Sequence, residues 1–271
     1  MVEEIYRVEN LEFSYGKVKV IKGINVSIRK GDFFGIIGPN GSGKSTFVKI
    51  LTRVLKGYTG KIYFRGKELK NIKLSEFSKY VSFLPSSIPV YFPYKVEEFI
   101  LMGRYPHLSK TERVKKEDIR IVEKTIEKLG ISEIKNKKVF ELSEGEKQFV
   151  FLAQLLAQDS EVLVLDEPIS HLDIGHRFKI MDILEKLNKN GKTIITILHD
   201  LNIASEYSKK ILLFKDGRIY KQGRVEKVID YRIIEDVYRT KVLVYKNPFT
   251  EKPYVFGIPE RFSPSDLKTN G

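Results

Sequence analysis

The stretch GPNGSGKST, residues 38–46, contains three glycines, one lysine and two adjacent hydroxyl side chains. From Gly38 to Ser45 it fits the spacing G-x-x-x-x-G-K-[ST]. The run FFGIIG before it is apolar on both faces, as a buried parallel strand is, and an apolar stripe of helical spacing follows it. Glycines let backbone N–H groups turn toward an anion, and a helix that begins near Lys44 directs its positive end to the same point. The stretch therefore predicts a strand–loop–helix unit that binds the phosphates of a nucleotide.

Every residue of this loop is a candidate for nucleotide binding. Lys44 is expected to reach the β- and γ-phosphates, and the hydroxyl of Ser45 is expected to bind Mg²⁺. The candidates are Gly38, Pro39, Asn40, Gly41, Ser42, Gly43, Lys44, Ser45 and Thr46. The apolar stripe that predicts the following helix consists of Phe47, Ile50, Leu51, Val54 and Leu55.

Two further runs, EVLVLDE (161–167) and KTIITILHD (192–200), have the composition of buried parallel strands. Because ligands bind at the carboxyl ends of such strands, we expect the polar residues there to meet the phosphate loop. Asp166 is expected to hold Mg²⁺ through water, Glu167 to orient the attacking water and His199 to hold the γ-phosphate. The structural alternatives are a surface acid pair for the two carboxylates and a hydrogen-bonded core histidine for His199.

The composition describes a protein with a substantial core and a basic surface. The chain has 271 residues, 42% of them hydrophobic, no cysteine and a formal net charge of +13. No apolar run approaches the roughly 20 residues of a membrane-spanning helix, and the start, MVEEIYRVEN, is unlike a signal peptide. We therefore expect a soluble intracellular protein. The charge fits nucleic acid, an anionic membrane or an ordinary solvated surface, and its spread along the chain favours the last.

The remaining sequence divides into regions of different character. The runs YRVENLEFSYG and VIKGINVSI alternate as surface strands do, whereas residues 88–158 have mostly helical spacing. FKDGRIYKQG (214–223) predicts a hairpin with an Asp-Gly turn, and KVLVY (241–245) predicts a late strand. The polar end SPSDLKTNG (263–271) is expected to fray.

The run ELSEGEKQ (141–148) resembles the signature motif L-S-G-G-[QE] of the ATP-binding-cassette (ABC) family. Further positions extend the resemblance over most of the chain. Tyr15 matches the aromatic residue that stacks on adenine, Asp173 of PISHLD matches the acid of the loop after the second buried strand, and His199 matches the switch histidine. Locally, Ser143 and Glu146 also have the S-x-x-E spacing of a helix capping box.

The resemblance implies an α/β fold: a P-loop NTPase (RecA-like) core with an N-terminal antiparallel β subdomain and a helical ABC-specific subdomain. The ATPase domain would span residues 1–240, with the helical subdomain at about 88–158, and 241–271 would be a short C-terminal extension. ATP and Mg²⁺ are the implied cofactors. The implied catalytic residues are Glu167, His199, Lys44 and Asp173. Ser143, Gly145 and Glu146 would contact the nucleotide of a second copy in a head-to-tail homodimer, which has two composite sites.

Three positions depart from the family pattern. Glu144 stands where the signature has glycine, and a carboxylate near a γ-phosphate is unfavourable unless it points away. Ser86 stands where the family has a glutamine that links Mg²⁺ to the transport partner, and its hydroxyl could still bind Mg²⁺ directly or through water. Gln154 stands where arginine is common.

The segments VEEFILMGRYPHLS (96–109) and LAQLLAQDSEVLVLDEPISHLDIGHRFKIMDIL resemble importers of iron–siderophore, haem and cobalamin, a pattern that molybdate and tungstate importers share. The resemblance implies a chain at the cytoplasmic face of the membrane beneath integral-membrane permease subunits, served indirectly by an extracytoplasmic solute-binding protein. The alternatives are an ABC ATPase of nucleic acid or ribosomes, an exporter component and a non-enzymatic module. Sustained heptads and a second cassette are absent from the sequence, so nucleic acid is not expected as a partner.

Overall fold

The computed structural model describes residues 3–108 and 114–262. Its strands are β1 (Glu4–Tyr15), β2 (Val18–Arg29), β3 (Phe33–Ile37), β4 (Thr59–Phe64), β5 (Lys67–Glu68), β6 (Val81–Leu84), β7 (Val162–Asp166), β8 (Thr193–Ile197), β9 (Lys210–Lys215), β10 (Arg218–Arg224), β11 (Val242–Lys246) and β12 (Pro253–Gly257). Its helices are α1 (Lys44–Leu51), α2 (Leu74–Phe77), α3 (Val96–Leu101), α4 (Lys116–Leu129), α5 (Glu144–Ala157), α6 (Ile174–Lys189), α7 (Leu201–Tyr207), α8 (Val225–Val228) and α9 (Tyr231–Tyr238). In these two described ranges no helix is both long enough and apolar enough to cross a membrane.

The central sheet has the strand order β10-β9-β3-β8-β7-β6. Its strands run parallel from β9 to β6, and β10 pairs antiparallel with β9. Every residue of β3, β7 and β8 is buried, which explains why these strands are continuous apolar runs rather than alternating ones. The parallel pairing brings the carboxyl ends of the three strands to one edge of the sheet.

The second sheet is antiparallel, with the order β2-β1-β4-β5. Its inward side chains share a hydrophobic core with α1 and with one face of the central sheet, including Phe34 and Ile36 of β3. The hydroxyl of Tyr6 in β1 donates a hydrogen bond to the carbonyl of Leu51 at the end of α1, at 3.2 Å. Burial alternates along β1 and β2 as predicted, with breaks at Asn10 and Gly23, where the strand register shifts. The Tyr6 contact joins the antiparallel sheet to the helix that follows the phosphate loop.

The other face of the central sheet is covered by helices. A second core joins Phe33, Ile37 and their neighbours on the central strands to α5, α6 and the helices before them. The region predicted to be helical contains α3, α4 and α5. In it, Arg104 is buried, lies 2.9 Å from Asp118 and donates to the carbonyl of Ala157 at 2.8 Å. This buried ion pair ties the segment after α3 to α4 and to the end of α5.

The helix after the phosphate loop is shorter than its apolar stripe predicted. It ends at Leu51, because Arg53 adopts a left-handed φ of 62° and breaks the helical path. Val54 consequently lies 58% exposed instead of on the buried face, while Leu55 packs partly against the core.

The late strand predicted from KVLVY is β11, which pairs with β12 in a separate hairpin. This hairpin is attached to α7: the side chain of Asn202 accepts from the N–H of Val255 at 2.7 Å and donates to its carbonyl at 3.2 Å. Ser205 of α7 donates to the carbonyl of Pro253 at 2.5 Å. The proposed division at residue 240 stays a prediction, and the end predicted to fray, 263–271, lies outside the described residues.

We expect Arg104→Leu to lower the free energy of unfolding by about 3 kcal/mol, because it removes the guanidinium that pairs with the buried Asp118 carboxylate. Urea denaturation gives the measurement. Lys189→Leu is the control, since it removes an exposed pair with Glu185 and is expected to cost less than about 1 kcal/mol. Equal losses in the two variants would contradict a stabilising role for the buried pair.

Candidate nucleotide-binding site

The phosphate loop joins β3 to α1, and its shape depends on glycine. Gly38, Gly41 and Gly43 have φ values of 144°, 76° and 102°. A Cβ on Gly38 would lie 2.4 Å from the carbonyl oxygen of Phe214, so no other residue fits there without moving β9. Gly43 begins α1 without a side-chain cap, which leaves the first N–H groups of the helix available to an anion. The local geometry therefore suits a bound phosphate.

Lys44 lies across this loop. Its Nζ donates to the carbonyl oxygens of Gly38 at 2.7 Å and Pro39 at 2.9 Å. Burial lowers the pKa of Lys44, and the carboxylates of Glu167 and Asp166 oppose that shift. The ammonium group is thus held inside the loop at the carboxyl edge of the central sheet, next to the acidic pair.

Asp166, the last residue of β7, is fully buried. Its Oδ1 accepts a hydrogen bond from the Ser45 hydroxyl at 3.1 Å, while its buried Oδ2 has no hydrogen-bond partner in the described part of the chain. Burial raises the pKa of Asp166, the nearby Glu167 carboxylate adds to that rise, and the Ser45 hydrogen bond opposes it. The unpaired Oδ2 of Asp166 and the neighbouring Ser45 hydroxyl are oxygen ligands of the kind that a hard cation such as Mg²⁺ prefers.

Glu167 follows with a left-handed backbone, φ 56°. Its Oε1 lies 2.5 Å from Nε2 of His199, and its Oε2 accepts a hydrogen bond from the Ser170 hydroxyl at 3.1 Å. Burial acts to raise the pKa of Glu167, but His199, then Ser170 and Lys44, outweigh it and lower that pKa. Glu167 is therefore a carboxylate at neutral pH, oriented by two partners and placed in a backbone conformation that is typical of functional sites.

Tyr15 ends β1 and is 48% exposed. Its ring makes an edge-to-face contact with the buried ring of Phe13, with centroids 4.9 Å apart. The hairpin that carries Tyr15 lies against the phosphate loop, since a Cβ on Gly43 would meet Ile21 at 3.0 Å and the carbonyl of Val20 at 3.2 Å. The ring of Tyr15 therefore packs on Phe13 at one edge and is exposed to solvent, where a nucleotide base could stack on it.

The signature segment forms the start of α5. The Ser143 hydroxyl accepts from the N–H of Glu146 at 3.3 Å, and Glu146 accepts from the N–H of Ser143 at 2.9 Å, as the capping box predicted. The carboxylate of Glu144 is 78% exposed and pairs with Lys147 at 2.7 Å, so it is neutralised locally. Over residues 3–108 and 114–262 no hydrogen bond or ion pair joins Ser143, Gly145 or Glu146 to the phosphate loop of the same chain.

Two further predicted residues lie beside this edge. Ser86 is exposed, two residues after the end of β6, and lines a groove of about 360 Å³ together with Glu167 and Ser170. Asp173 begins α6 and accepts from the N–H of His176 at 2.9 Å. Ser86 therefore lines the same groove as Glu167, and Asp173 serves locally as a helix cap.

Sequence analysis missed two residues that support the site. Ser170, within PISHLD, orients Glu167. Gly217, in the Asp-Gly turn between β9 and β10, donates its N–H to the carbonyl of Ser42 at 3.1 Å. The turn itself was predicted, but its contact with a loop 175 positions earlier depends on tertiary packing that no local pattern encodes.

The chain is similar to known proteins of one family. The ABC transporter family matches residues 21–170. The iron(3+)-hydroxamate import ATP-binding protein FhuC of Bacillus subtilis (strain 168) is 35% identical over 246 residues, 90% of this chain and 91% of that protein. The ferric enterobactin transport ATP-binding protein FepC of Escherichia coli (strain K12) is 32% identical over 258 residues, 94% of this chain and 95% of that protein.

A solved structure gives the same fold. The dimeric structure of MJ0796, a bacterial ABC transporter cassette, has a TM-score of 0.72 and 25% identity, covering 81% of this chain and 98% of that one. The predicted α/β fold class and the predicted family are both confirmed. The chain belongs to the ABC transporter family and is one of its ATP-binding, ATP-hydrolysing proteins.

Proposed function

We propose that this chain is the ATPase subunit of an importer of iron chelates, and that a head-to-tail homodimer of it drives a separate membrane permease. The observation that carries the ATPase part is the Glu167 carboxylate, fixed by His199 and Ser170 at the sheet edge where Lys44 and Asp166 also lie. The solute class is supported by the names of the similar proteins, which transport iron(3+)-hydroxamate and ferric enterobactin.

The residues of the sheet edge divide into phosphate-binding and water-orienting groups. Lys44 would exchange the carbonyls of Gly38 and Pro39 for the nucleotide phosphates. Glu167 would accept a hydrogen bond from the attacking water, and His199 would hold that carboxylate and contact the γ-phosphate.

Ser45 and Asp166 are the residues that would hold Mg²⁺, together with Ser86. The described ranges contain no cluster of three His, Asp or Glu side chains able to hold a metal. This suits Mg²⁺, which is usually bound by one or two carboxylates together with waters and substrate phosphates. When bound, Mg²⁺ neutralises the charge of the transferring phosphoryl group.

The proposed homodimer completes the site. Within one chain Ser143, Gly145 and Glu146 make no polar contact with the phosphate loop in the described residues. The start of α5 has first-turn N–H groups that can face an anion, and a second copy would present them to the nucleotide. Asp173 would act at the same interface. The similar MJ0796 cassette has a dimeric structure, which supports a dimer of this chain.

A cleft of about 690 Å³ between α2, the end of α3 and α5 supports docking of the permease. Leu74, Met102 and Tyr105 on its walls are exposed, and Tyr105 is 78% accessible. An apolar cleft of this kind suits a short amphipathic helix. We propose that a cytoplasmic helix of the permease occupies it. This would place the chain at the cytoplasmic face of the membrane, away from the solute, which an extracytoplasmic binding protein would deliver to the permease.

The alternative solute class, molybdate or tungstate, would also be chosen by the permease and not by this chain. The other alternative, an ABC ATPase that acts on nucleic acid or ribosomes, is supported by the net charge of +13.

A tagged copy of the chain should co-purify from nuclease-treated membranes in high salt with a multi-span permease at equal stoichiometry, since salt disrupts phosphate-backbone contacts. Uptake of ferric hydroxamate, molybdate or tungstate by the reconstituted complex would then identify the solute class. Ribosomal proteins without a membrane partner would overturn the proposal.

Glu167→Gln is expected to retain ATP binding while the turnover number falls by more than about 100-fold, because the amide cannot accept the proton of the attacking water. Phosphate release gives the rate, and size-exclusion chromatography with ATP should show a trapped dimer. Glu185→Gln, on the exposed side of α6, should leave turnover unchanged. Turnover above about a tenth of wild type in Glu167→Gln would contradict the assigned role.

Tyr15→Ala is expected to raise the KM for ATP by about tenfold with the turnover number within about twofold, because stacking on a base is worth about 1–3 kcal/mol in binding. Tyr15→Phe keeps the ring and its contact with Phe13, so its KM should stay near that of wild type. An unchanged KM in Tyr15→Ala would remove this residue from the adenine site.

A further inference from the structure

His176, in the first turn of α6, contacts two segments that the proposed dimer brings to its interface. The carboxylate of Asp173 caps α6 through Oδ1, which accepts the backbone N–H of His176 at 2.9 Å. Its second oxygen, Oδ2, contacts Nδ1 of the His176 ring. A helix cap requires only one of these oxygens, so the ring contact adds a constraint on the orientation of Asp173 that helix capping does not explain.

The same ring lies over the start of α5. A Cβ on Gly145 would be 3.8–3.9 Å from three atoms of the His176 ring, which places the ring against the backbone of this signature glycine. The ring also makes an edge contact with Phe149, one turn further along α5, with centroids 5.7 Å apart. Lys179, one turn further along α6, lies 4.8 Å from the centre of the Phe149 ring. One imidazole therefore connects the cap of α6 to the first turns of α5.

We propose that His176 is a positioning residue, which holds Asp173 and the Gly145 turn of α5 in one fixed arrangement. The inference rests on the proposed function, in which these two segments face the nucleotide bound by the partner subunit. Ring packing against Gly145 and Phe149 sets the position of the imidazole, and its Nδ1 then sets the orientation of the carboxylate. The residue acts through Asp173 and contacts neither ATP nor the attacking water.

Electrostatics agree with this geometry. The backbone N–H of His176 is the largest cause of a lowered pKa at Asp173, and the hydrogen bond from the His176 ring follows it. Asp173 is exposed, and without the ring contact only the capping hydrogen bond to Oδ1 would orient its carboxylate. Fixing the carboxylate in advance removes the need to order it when two copies meet.

Two substitutions separate the two contacts of the ring. His176→Phe keeps an aromatic ring against Gly145 and Phe149 but has no donor for Asp173. His176→Asn keeps an N–H near the place of Nδ1 and has no ring. With the purified full-length chain, Mg²⁺ and ATP, we expect His176→Phe to lower the turnover number about fivefold with KM for ATP within about twofold, because only an exposed hydrogen bond is lost. His176→Asn should recover part of that turnover, because it restores a donor for Asp173 without the ring packing.

Wild-type turnover in His176→Phe would overturn the inference. Equal losses in both variants would also overturn it, because an N–H near the place of Nδ1 would then restore nothing. A second readout is independent of ATP: the pKa of the Asp173 carboxyl, followed by carbon NMR, should rise in His176→Phe and stay low in His176→Asn. An unchanged pKa in His176→Phe would also overturn it. If the wild-type protein and Glu167→Gln had the same turnover number, the proposed function would be overturned instead, and the positioning role with it.

Discussion

The parallel pairing of β3, β8 and β7 is the constraint on which the rest of the site depends. Ile36 pairs with Ile197 and Asp166 pairs with the same Ile197, so the three strands end together. A slip of one residue in this register would turn every side chain to the opposite face. Because the strands are buried on both faces, two separate hydrophobic cores specify the register. The hydrophobic packing thereby places the phosphate loop, the acidic pair and His199 at a common edge.

The phosphate loop is held from outside as well as by its own glycines. The carbonyl of Phe214 in β9 approaches Gly38 closely enough to exclude a side chain, and Gly217 in the following turn supports Ser42. Gly217 is itself confined, because a Cβ there would lie 2.2 Å from the carbonyl of Val20. Strands far apart in sequence thus fix the loop. This explains why a nine-residue motif predicts its own conformation but not the contacts that hold it.

Local patterns predicted the parts of the fold that local chemistry determines. The buried strands, the Asp-Gly hairpin, the capping box of Ser143 and Glu146 and the loop itself all follow from composition, spacing and turn residues. The order of the strands in the sheet and the end of α1 were not accessible in this way. Val54 continues the apolar stripe yet is exposed, because the left-handed Arg53 redirects the chain.

The same limit applies to the candidate site. Residue type and strand position were sufficient to select Asp166, Glu167 and His199 as a group. The left-handed backbone of Glu167 and its bond from Ser170 result from how the segment after β7 packs against α5, where Gln148 donates to the carbonyl of Pro168 at 2.7 Å. Such packing between distant segments sets geometry that spacing cannot encode. The roles assigned to these residues remain predictions.

The contacts of Lys44 with the carbonyls of Gly38 and Pro39 have a consequence for the phosphate loop itself. The lysine belongs to the first turn of α1 and the two carbonyls belong to the start of the loop, so one side chain closes the loop across its own width. The positive charge and the cross-link are therefore carried by a single residue. A neutral side chain at position 44 would remove both, and the glycines of the loop would regain backbone freedom that the closed turn takes from them.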